Sequence, residues 1–192
     1  IGTFSHFLLS YAYGLMRDME RLYLAYHRIN QSPLGACAIG GSSVTIDRKR
    51  TAMLLGFDSI IKNSIDATSS RDAFLEYAST LAILTSTLGR ITEDFIIWST
   101  TEFGYIELAE RYTSTSSAMP QKKNPDPLEL TRAKAAVVTG NLVSILGIVK
   151  ALPSGYSRDL QDINPPLLGA SAITLDTIKI MDGVVRSLQI DN

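Results

Sequence analysis

With 192 residues, 45% of them apolar, the chain has enough material for a packed core, which argues against a disordered protein. Its 18 lysines and arginines and 19 aspartates and glutamates give a net charge of −1, whereas a protein that binds nucleic acid or a membrane surface usually carries a basic excess. The single cysteine, Cys37, excludes an internal disulfide and fits the reducing cytoplasm, and one cysteine with two histidines leaves little from which to build a metal site.

Apolar periodicity predicts a first long helix over about residues 4–30, where apolar side chains recur at three- and four-residue steps. The following stretch SPLGACAIGGSS, residues 32–43, combines Pro33 with several glycines, which indicates a compact loop. A short helix is predicted near residues 47–55, and Gly56 is suited to end it.

Residues 57–69 show no periodicity and are interpreted as irregular. The next apolar stripe predicts a second long helix over residues 70–99, with Ser69 or Ser70 as its N-cap. Residues 100–125 are interpreted as irregular again.

A third long helix is predicted over residues 126–152. Asp126 is suited to cap this helix, Pro127 suits its first turn, and Glu129 stands three positions after the cap. The most apolar run, residues 137–149, is shorter than the roughly 20 residues that a membrane span needs, so it predicts a buried helix.

A fourth helix is predicted over residues 166–189, and no β alternation of useful length is visible. The sequence therefore predicts an all-α fold, a long-helix bundle. The apolar faces of its helices are wider than four helices alone can cover, so we expect some of them to pack against other chains. The alternative is a thick monomeric bundle.

The stretch SSAMPQKKNP, residues 116–125, is the most unusual part of the irregular region. Its two prolines prevent a helix, and Lys122, Lys123 and Asn124 could bind a small anion together with the positive end of the next helix. Nearby cations would also stabilise the alkoxide of a serine such as Ser116. The alternatives are a solvated polar loop or a Ser–Lys hydrolase, although neither a GxSxG elbow nor an SxxK motif is present.

This stretch resembles the signature loop of the fumarase/aspartase superfamily, G-S-S-x-M-P-x-K-x-N, and its QKKNP portion is most similar to argininosuccinate lyases. Other segments resemble the same family in the expected order: RINQSPLGACAIGG, IDRKRTAMLLGF, NSIDATSSRD, WSTTEFGYIEL and LPSGYSRDLQD. The resemblance covers essentially the whole chain.

The resemblance implies that residues 1–192 are the central helical bundle domain of a three-domain lyase. Both ends, Ile1 and Asn192, look cut, so we expect N-terminal and C-terminal domains outside this chain. In the family, central-domain helices of four subunits form one long bundle, which implies a homotetramer.

The family reaction is β-elimination, which splits argininosuccinate into arginine and fumarate in arginine biosynthesis. The resemblance implies that Ser116 is the general base and that Lys122 and Asn124 hold the substrate carboxylates. Ser117 corresponds to a position that assists through its backbone or hydroxyl. Glu129 corresponds to a glutamate that pairs with the catalytic histidine, and the alternative is that it only caps the helix.

Further substrate contacts are implied near the end of the third helix. Tyr156 and Gln161 match substrate-contacting positions of the family. Arg158 replaces a family lysine, which keeps the positive charge but changes its geometry. Lys123 is expected outside the site.

Arg71 matches an arginine of the family, and the alternative is that it only pairs with Asp66 or Asp72.

Two positions depart from the family pattern. Thr115 stands where the signature has glycine, and a threonine resists a positive φ. Asn164 stands where many members have a second lysine.

The catalytic histidine of the family has no counterpart in this chain, and His6 is expected to pack in the bundle. Because one active site of the superfamily draws on three subunits, the isolated chain is expected to be inactive. No metal, cofactor, nucleic-acid or membrane partner is expected. The alternatives are a lyase for another succinyl adduct, such as adenylosuccinate, or a non-catalytic relative of the crystallin kind.

Overall fold

Four long helices dominate the computed structural model, which describes residues 2–190. They are α1 (Phe4–Ile29), α4 (Asp72–Trp98), α5 (Asp126–Val149) and α6 (Asn164–Ser187). Two short helices, α2 (Arg48–Leu54) and α3 (Ser64–Ser69), lie between α1 and α4. Two 3-10 helices, Glu110–Tyr112 and Arg158–Ile163, precede α5 and α6. The predicted all-α bundle is therefore confirmed.

The six strands have only two residues each, and they close loops rather than form a layer. β1 (Gln31–Ser32) pairs in parallel with β2 (Ser59–Ile60). β3 (Ile106–Glu107) pairs antiparallel with β6 (Gln189–Ile190). β4 (Ser114–Thr115) pairs antiparallel with β5 (Lys123–Asn124), which makes a hairpin of the region that contains SSAMPQKKNP.

Helix α4 is the centre of the bundle, since it packs against α1, α5 and α6. It runs antiparallel to α1, because the Phe4 ring lies 5.4 Å from the Trp98 ring at one end and Arg28 pairs with Glu76 at the other. It also runs antiparallel to α5, since Arg132 near the start of α5 pairs with Glu93 near the end of α4.

The core is a column of buried apolar side chains along α4 and the facing sides of its neighbours. Near the hairpin, Leu88 and Phe95 of α4 pack with Leu128 of α5 and Val184 of α6. Towards the other end, Ile145 is fully buried in a second cluster. Burial of each such side chain contributes about 1.5–3 kcal/mol, so packing rather than helix propensity fixes the helix positions.

The region predicted as irregular at residues 57–69 contains a helix, so that prediction was wrong. Helix α3 begins after Asn63, whose side-chain oxygen accepts from the backbone N–H groups of Ile65 and Asp66 at 2.9 and 3.1 Å. With only six residues, α3 is too short to show an apolar period, and the cap is its only signal.

Both predicted caps of long helices were wrong. Arg71 precedes α4 without a side-chain cap, and the Ser70 hydroxyl instead donates to the Asp72 carboxylate at 2.6 Å. Pro125 occupies the cap position of α5, and the Asp126 carboxylate accepts a hydrogen bond from the Ser114 hydroxyl.

The prediction that His6 packs in the bundle was also wrong, since His6 is exposed.

Helix α5 is largely uncovered in a single chain, so the prediction of a buried helix over residues 137–149 was wrong for the chain alone. It is long and apolar enough to cross a membrane by length and composition, with a mean hydropathy of 1.4 over its most apolar window, yet only 11% of that window is buried. One such helix is weak evidence for a membrane, since core helices of soluble proteins share these properties. Leu130 and Val143 are 60% and 62% exposed, which is unusual for branched side chains on a bundle helix.

Candidate functional site

The predicted site residues fall into two groups, one at each end of α5. Ser116, Ser117, Lys122, Asn124 and Glu129 lie on the hairpin or in the first turn of α5. We call this region the hairpin end. The second group, Arg71, Tyr156, Gln161 and Arg158, lies around the start of α4 and the 3-10 helix after α5, and we call it the Tyr156 end.

The hairpin holds Ser116 immediately after β4, in the turn that Pro120 keeps from becoming helical. The Ser116 hydroxyl oxygen accepts from the backbone N–H of Ala118 at 3.2 Å, and the backbone N–H of Lys122 donates to the Met119 carbonyl at 3.0 Å. The Ser116 side chain is half-buried and that of Ser117 is exposed. The turn therefore presents Ser116 near the surface, where a substrate could reach it.

An open cleft of about 780 Å³ lies beside the hairpin. Lys122, Asn124 and Glu129 line it together with Met119. The α5 helix begins at this cleft, so the positive end of its dipole adds to the Lys122 ammonium. Because a cation, an amide and a helix start line the cleft, it is suitable for a carboxylate.

Lys123, which is expected outside the site, lines the same cleft, but its ammonium is paired with an acidic side chain. Its ammonium lies 3.0 Å from the Glu107 carboxylate of β3, and this hydrogen bond, followed by the charge of Glu107, raises the pKa of Lys123 above its ordinary value. The pair joins the second strand of the hairpin to β3.

Thr115, the departure from the family glycine, lies in β4 opposite Lys123. Among the non-glycine residues from 2 to 190, only Cys37 has a positive φ, so Thr115 is not forced into a left-handed conformation. Threonine fits a strand because its branched side chain favours extended backbone. The hairpin therefore tolerates threonine at this position.

At the Tyr156 end, a cleft of about 760 Å³ is lined by Arg71, Tyr156, Gln161 and Asn164. The Gln161 amide donates to the Tyr156 hydroxyl at 2.6 Å, which fixes the two side chains relative to each other. Arg158 is exposed and begins the 3-10 helix, but it does not line the cleft.

Arg71 is held by backbone carbonyl groups rather than by an aspartate. Its guanidinium donates to the Ser70 carbonyl at 2.6 Å and to the Thr68 carbonyl at 3.4 Å. The alternative prediction of an ion pair with Asp66 or Asp72 is not seen among the described residues. Burial lowers the pKa of Arg71, and the nearby Tyr156 opposes that shift.

The two groups do not meet within one chain. Helix α5 has 24 residues between them, which is about 36 Å at 1.5 Å per residue. Antiparallel packing of α4 on α5 keeps Arg71 at the same end as Tyr156 and leaves Ser116 at the other. A site that uses both groups therefore needs more than one copy of the chain.

Sequence reasoning missed the contacts that hold the hairpin. The Ser114–Asp126 hydrogen bond links its first strand to α5, but Asp126 had the properties of a helix cap and was interpreted as one. Glu107, the partner of Lys123, lies 16 positions away, and no local pattern points to it. Within residues 2–190, no group of three or more His, Cys, Asp or Glu side chains is arranged to hold a metal ion.

Comparison with known proteins shows similarity along the whole chain. A protein-family model described as Lyase matches residues 2–140. Over 190 residues the chain is 53% identical to the argininosuccinate lyase of Nitrosopumilus maritimus (strain SCM1), a match that covers 99% of this chain and 39% of that protein. The chain thus spans about two fifths of the length of this relative.

Solved structures show the same architecture. EDDS lyase in complex with formate is 36% identical with a TM-score of 0.82, over 96% of this chain and 37% of that one. A class II fumarase from Schistosoma mansoni, 18% identical, has a TM-score of 0.78 over 98% of this chain and 44% of that one, which shows a shared fold alone.

Proposed function

The chain belongs to the lyase family whose model it matches, and we propose that it is the central domain, residues 1–192, of an argininosuccinate lyase. The full-length protein would split argininosuccinate into arginine and fumarate by β-elimination, a step of arginine biosynthesis. The observation that carries this proposal is the hairpin, which carries Ser116, Lys122 and Asn124 and leads directly into the α5 N-terminus.

In the proposed reaction, the Ser116 alkoxide takes a proton from the carbon next to a substrate carboxylate. The negative charge moves onto that carboxylate, where the Lys122 ammonium and the Asn124 amide stabilise it. The electron pair then forms the carbon–carbon double bond of fumarate as the carbon–nitrogen bond breaks. The leaving nitrogen takes a proton from a general acid, a role that would fall to the family's catalytic histidine, which has no counterpart in this chain.

Glu129 would support that acid. Its exposed carboxylate lines the hairpin cleft, one turn into α5. A carboxylate beside a histidine stabilises the imidazolium and orients the ring, which is the role that the family gives to this position. Ser117 would contribute its hydroxyl or backbone N–H to the substrate.

The Tyr156 end would bind the amino-acid part of the substrate. Tyr156 and Gln161 are already joined by a hydrogen bond, and Arg71 stands in the same cleft. Arg158 would contact the substrate from the rim, since it is exposed outside the cleft lining. Because the length of α5, about 36 Å, separates this end from the hairpin, the contacts would come from another copy.

We infer a cytoplasmic protein that associates with copies of itself, and the resemblance to the superfamily implies a homotetramer. The exposed apolar side chains of α5 need cover, and self-association of long helices would bury them. The one cysteine of the sequence, Cys37, is free and exposed, as is usual in a reducing compartment. The isolated chain would lack turnover because the catalytic histidine of the family has no counterpart in it.

The test is elimination by the full-length protein from argininosuccinate and, separately, from adenylosuccinate, followed by the ultraviolet absorbance of fumarate. We expect turnover of argininosuccinate alone. Turnover of adenylosuccinate instead would assign a different succinyl adduct. A folded protein that cleaves neither would support a non-catalytic relative and refute the proposal.

A further inference from the structure

The segment that leads into the hairpin contacts the backbone of α6. Tyr112 ends a 3-10 helix two positions before β4, and its hydroxyl lies against Gly183. A Cβ at position 183 would lie 1.9 Å from the Tyr112 hydroxyl oxygen and 2.8 Å from its Cζ. No side chain could be added there without moving the tyrosine.

Gly183 is not explained by backbone conformation, since it lies inside α6 and its φ is not positive. Glycine in a helix interior is less favourable than alanine. The helix would therefore be more stable with alanine, and the space that Tyr112 occupies is the feature of the structure that requires glycine.

The Tyr112 ring is held from other directions too. The guanidinium carbon of Arg111 lies 5.0 Å from the ring centroid, within the range of a cation–π contact. The ring also packs against the core cluster that contains Leu128 of α5 and Val184 of α6. The entry to the hairpin is thus attached to two long helices.

A second contact attaches the first strand of the hairpin to α5. The Ser114 hydroxyl bonds to Asp126 in the first turn of α5, and β4 pairs with β5. Only three residues separate Tyr112 from Ser116. A movement of the tyrosine would therefore shift β4, whose Ser114 is bonded to Asp126, and with it Ser116.

We propose that Tyr112, packed against Gly183, is a positioning residue. It fixes where the hairpin leaves the bundle and therefore fixes the positions of Ser116 and Lys122. This inference rests on the proposed function, because it assigns a catalytic consequence to the contact. Displacement of a reacting group by about 1 Å costs on the order of a hundredfold in rate.

The test is Gly183→Ala in the full-length protein, with Gly169→Ala as the matched control on the same helix. A Cβ at 169 would lie 3.5 Å from the Asn141 amide nitrogen, an ordinary contact. We expect Gly183→Ala to lower kcat about tenfold or more with KM changed less than about threefold, and Gly169→Ala to stay within about twofold.

A double variant, Tyr112→Phe with Gly183→Ala, separates positioning from general damage. Removing the hydroxyl leaves only the 2.8 Å approach of Cζ, which a small tilt of the ring relieves, so kcat should recover at least in part. A folded Gly183→Ala protein with parental kcat, or a loss that the double variant does not relieve, would overturn the inference. If Gly183→Ala does not fold, Tyr112→Ala decides instead: a lowered kcat supports the inference, and a parental kcat overturns it.

Hydrogen exchange keeps this test independent of the substrate. Faster amide exchange over residues 113–124 in Gly183→Ala, with α6 unchanged, is expected even if the parent protein does not cleave argininosuccinate. Inactivity of the parent protein would refute the proposed function alone. Unchanged amide exchange over the hairpin in Gly183→Ala would refute the positioning role of Tyr112.

Discussion

Two adjacent lysines of the hairpin have different surroundings. The Lys123 ammonium is engaged by Glu107, whereas within residues 2–190 the structure shows no ion pair for Lys122. An unpaired ammonium in a cleft is available to a substrate carboxylate, and a paired one is not. We therefore assign the substrate contact to Lys122 and a surface ion pair to Lys123.

We predict that Lys122→Met lowers kcat/KM of the full-length protein about a hundredfold or more, because it removes fixed positive charge from the developing dianion. Lys123→Met should change kcat/KM less than about threefold, since exposed ion pairs contribute little. Fumarate absorbance measures both. Equal losses in the two variants would contradict the assignment of Lys122.

Tyr11 links α1 to α4 through a hydrogen bond to the Asp94 carboxylate. Burial, then this hydrogen bond and the charge of Asp94, raise the pKa of Tyr11 above its ordinary value, and Arg90 partly opposes the shift. A raised folded pKa means that the stabilisation is complete below the unfolded pKa of about 10 and is lost as pH rises above it.

Tyr11→Phe should therefore cost about 1 kcal/mol of unfolding free energy at neutral pH, the usual contribution of one hydrogen bond. It should also weaken the loss of stability above about pH 10. Urea unfolding at several pH values measures both effects, with Tyr13→Phe, an exposed tyrosine of the same helix, as the control. A pH profile unchanged from the parent would contradict the role of Tyr11.

The residues of the hairpin could be predicted because their order is itself a motif that resembles a known family. Contacts between positions that are distant in the sequence could not be predicted in this way. Two examples are the contacts of Ser114 with Asp126 and of Tyr112 with Gly183. Both depend on how the helices pack, and no local sequence spacing indicates them.

The long helices could be predicted to within three residues at each end, because each buries one apolar stripe against α4 or its neighbours. Helix α3 could not, since six residues give no period. The Asn63 cap was present in the sequence, but without a following apolar stripe it was not interpreted as a helix start.

Asn63→Ala removes the acceptor for two backbone N–H groups at the start of α3 and should cost about 1 kcal/mol. Lys62→Ala, its exposed neighbour outside the helix, should stay within about 0.5 kcal/mol. Urea unfolding measures the difference. An unchanged unfolding free energy in Asn63→Ala would show that the cap does not support α3.

The uncovered face of α5 predicts self-association. Val143→Asp places a charge on this face and should reduce the oligomeric state of the 192-residue chain, because a buried unpaired charge is costly. Light scattering after gel filtration measures the mass, with Lys49→Asp on α2 as the control. A parental mass in Val143→Asp would place the interface elsewhere.

The length of the predicted helix α5, about 36 Å, already separates the hairpin from Tyr156 and Gln161. No sequence pattern could place Arg71 at the Tyr156 end, because that placement follows from the antiparallel packing of α4 on α5. The central claim is that Ser116 of one copy works with Tyr156 and Gln161 of another. Mixing the full-length Ser116→Ala protein with the Gln161→Ala protein under conditions of subunit exchange tests it most directly. We predict that each variant alone is nearly inactive and that the mixture recovers turnover at least about tenfold above either one, because some sites then contain both intact groups. A mixture no more active than the separate variants, with exchange demonstrated by mass, would contradict the claim.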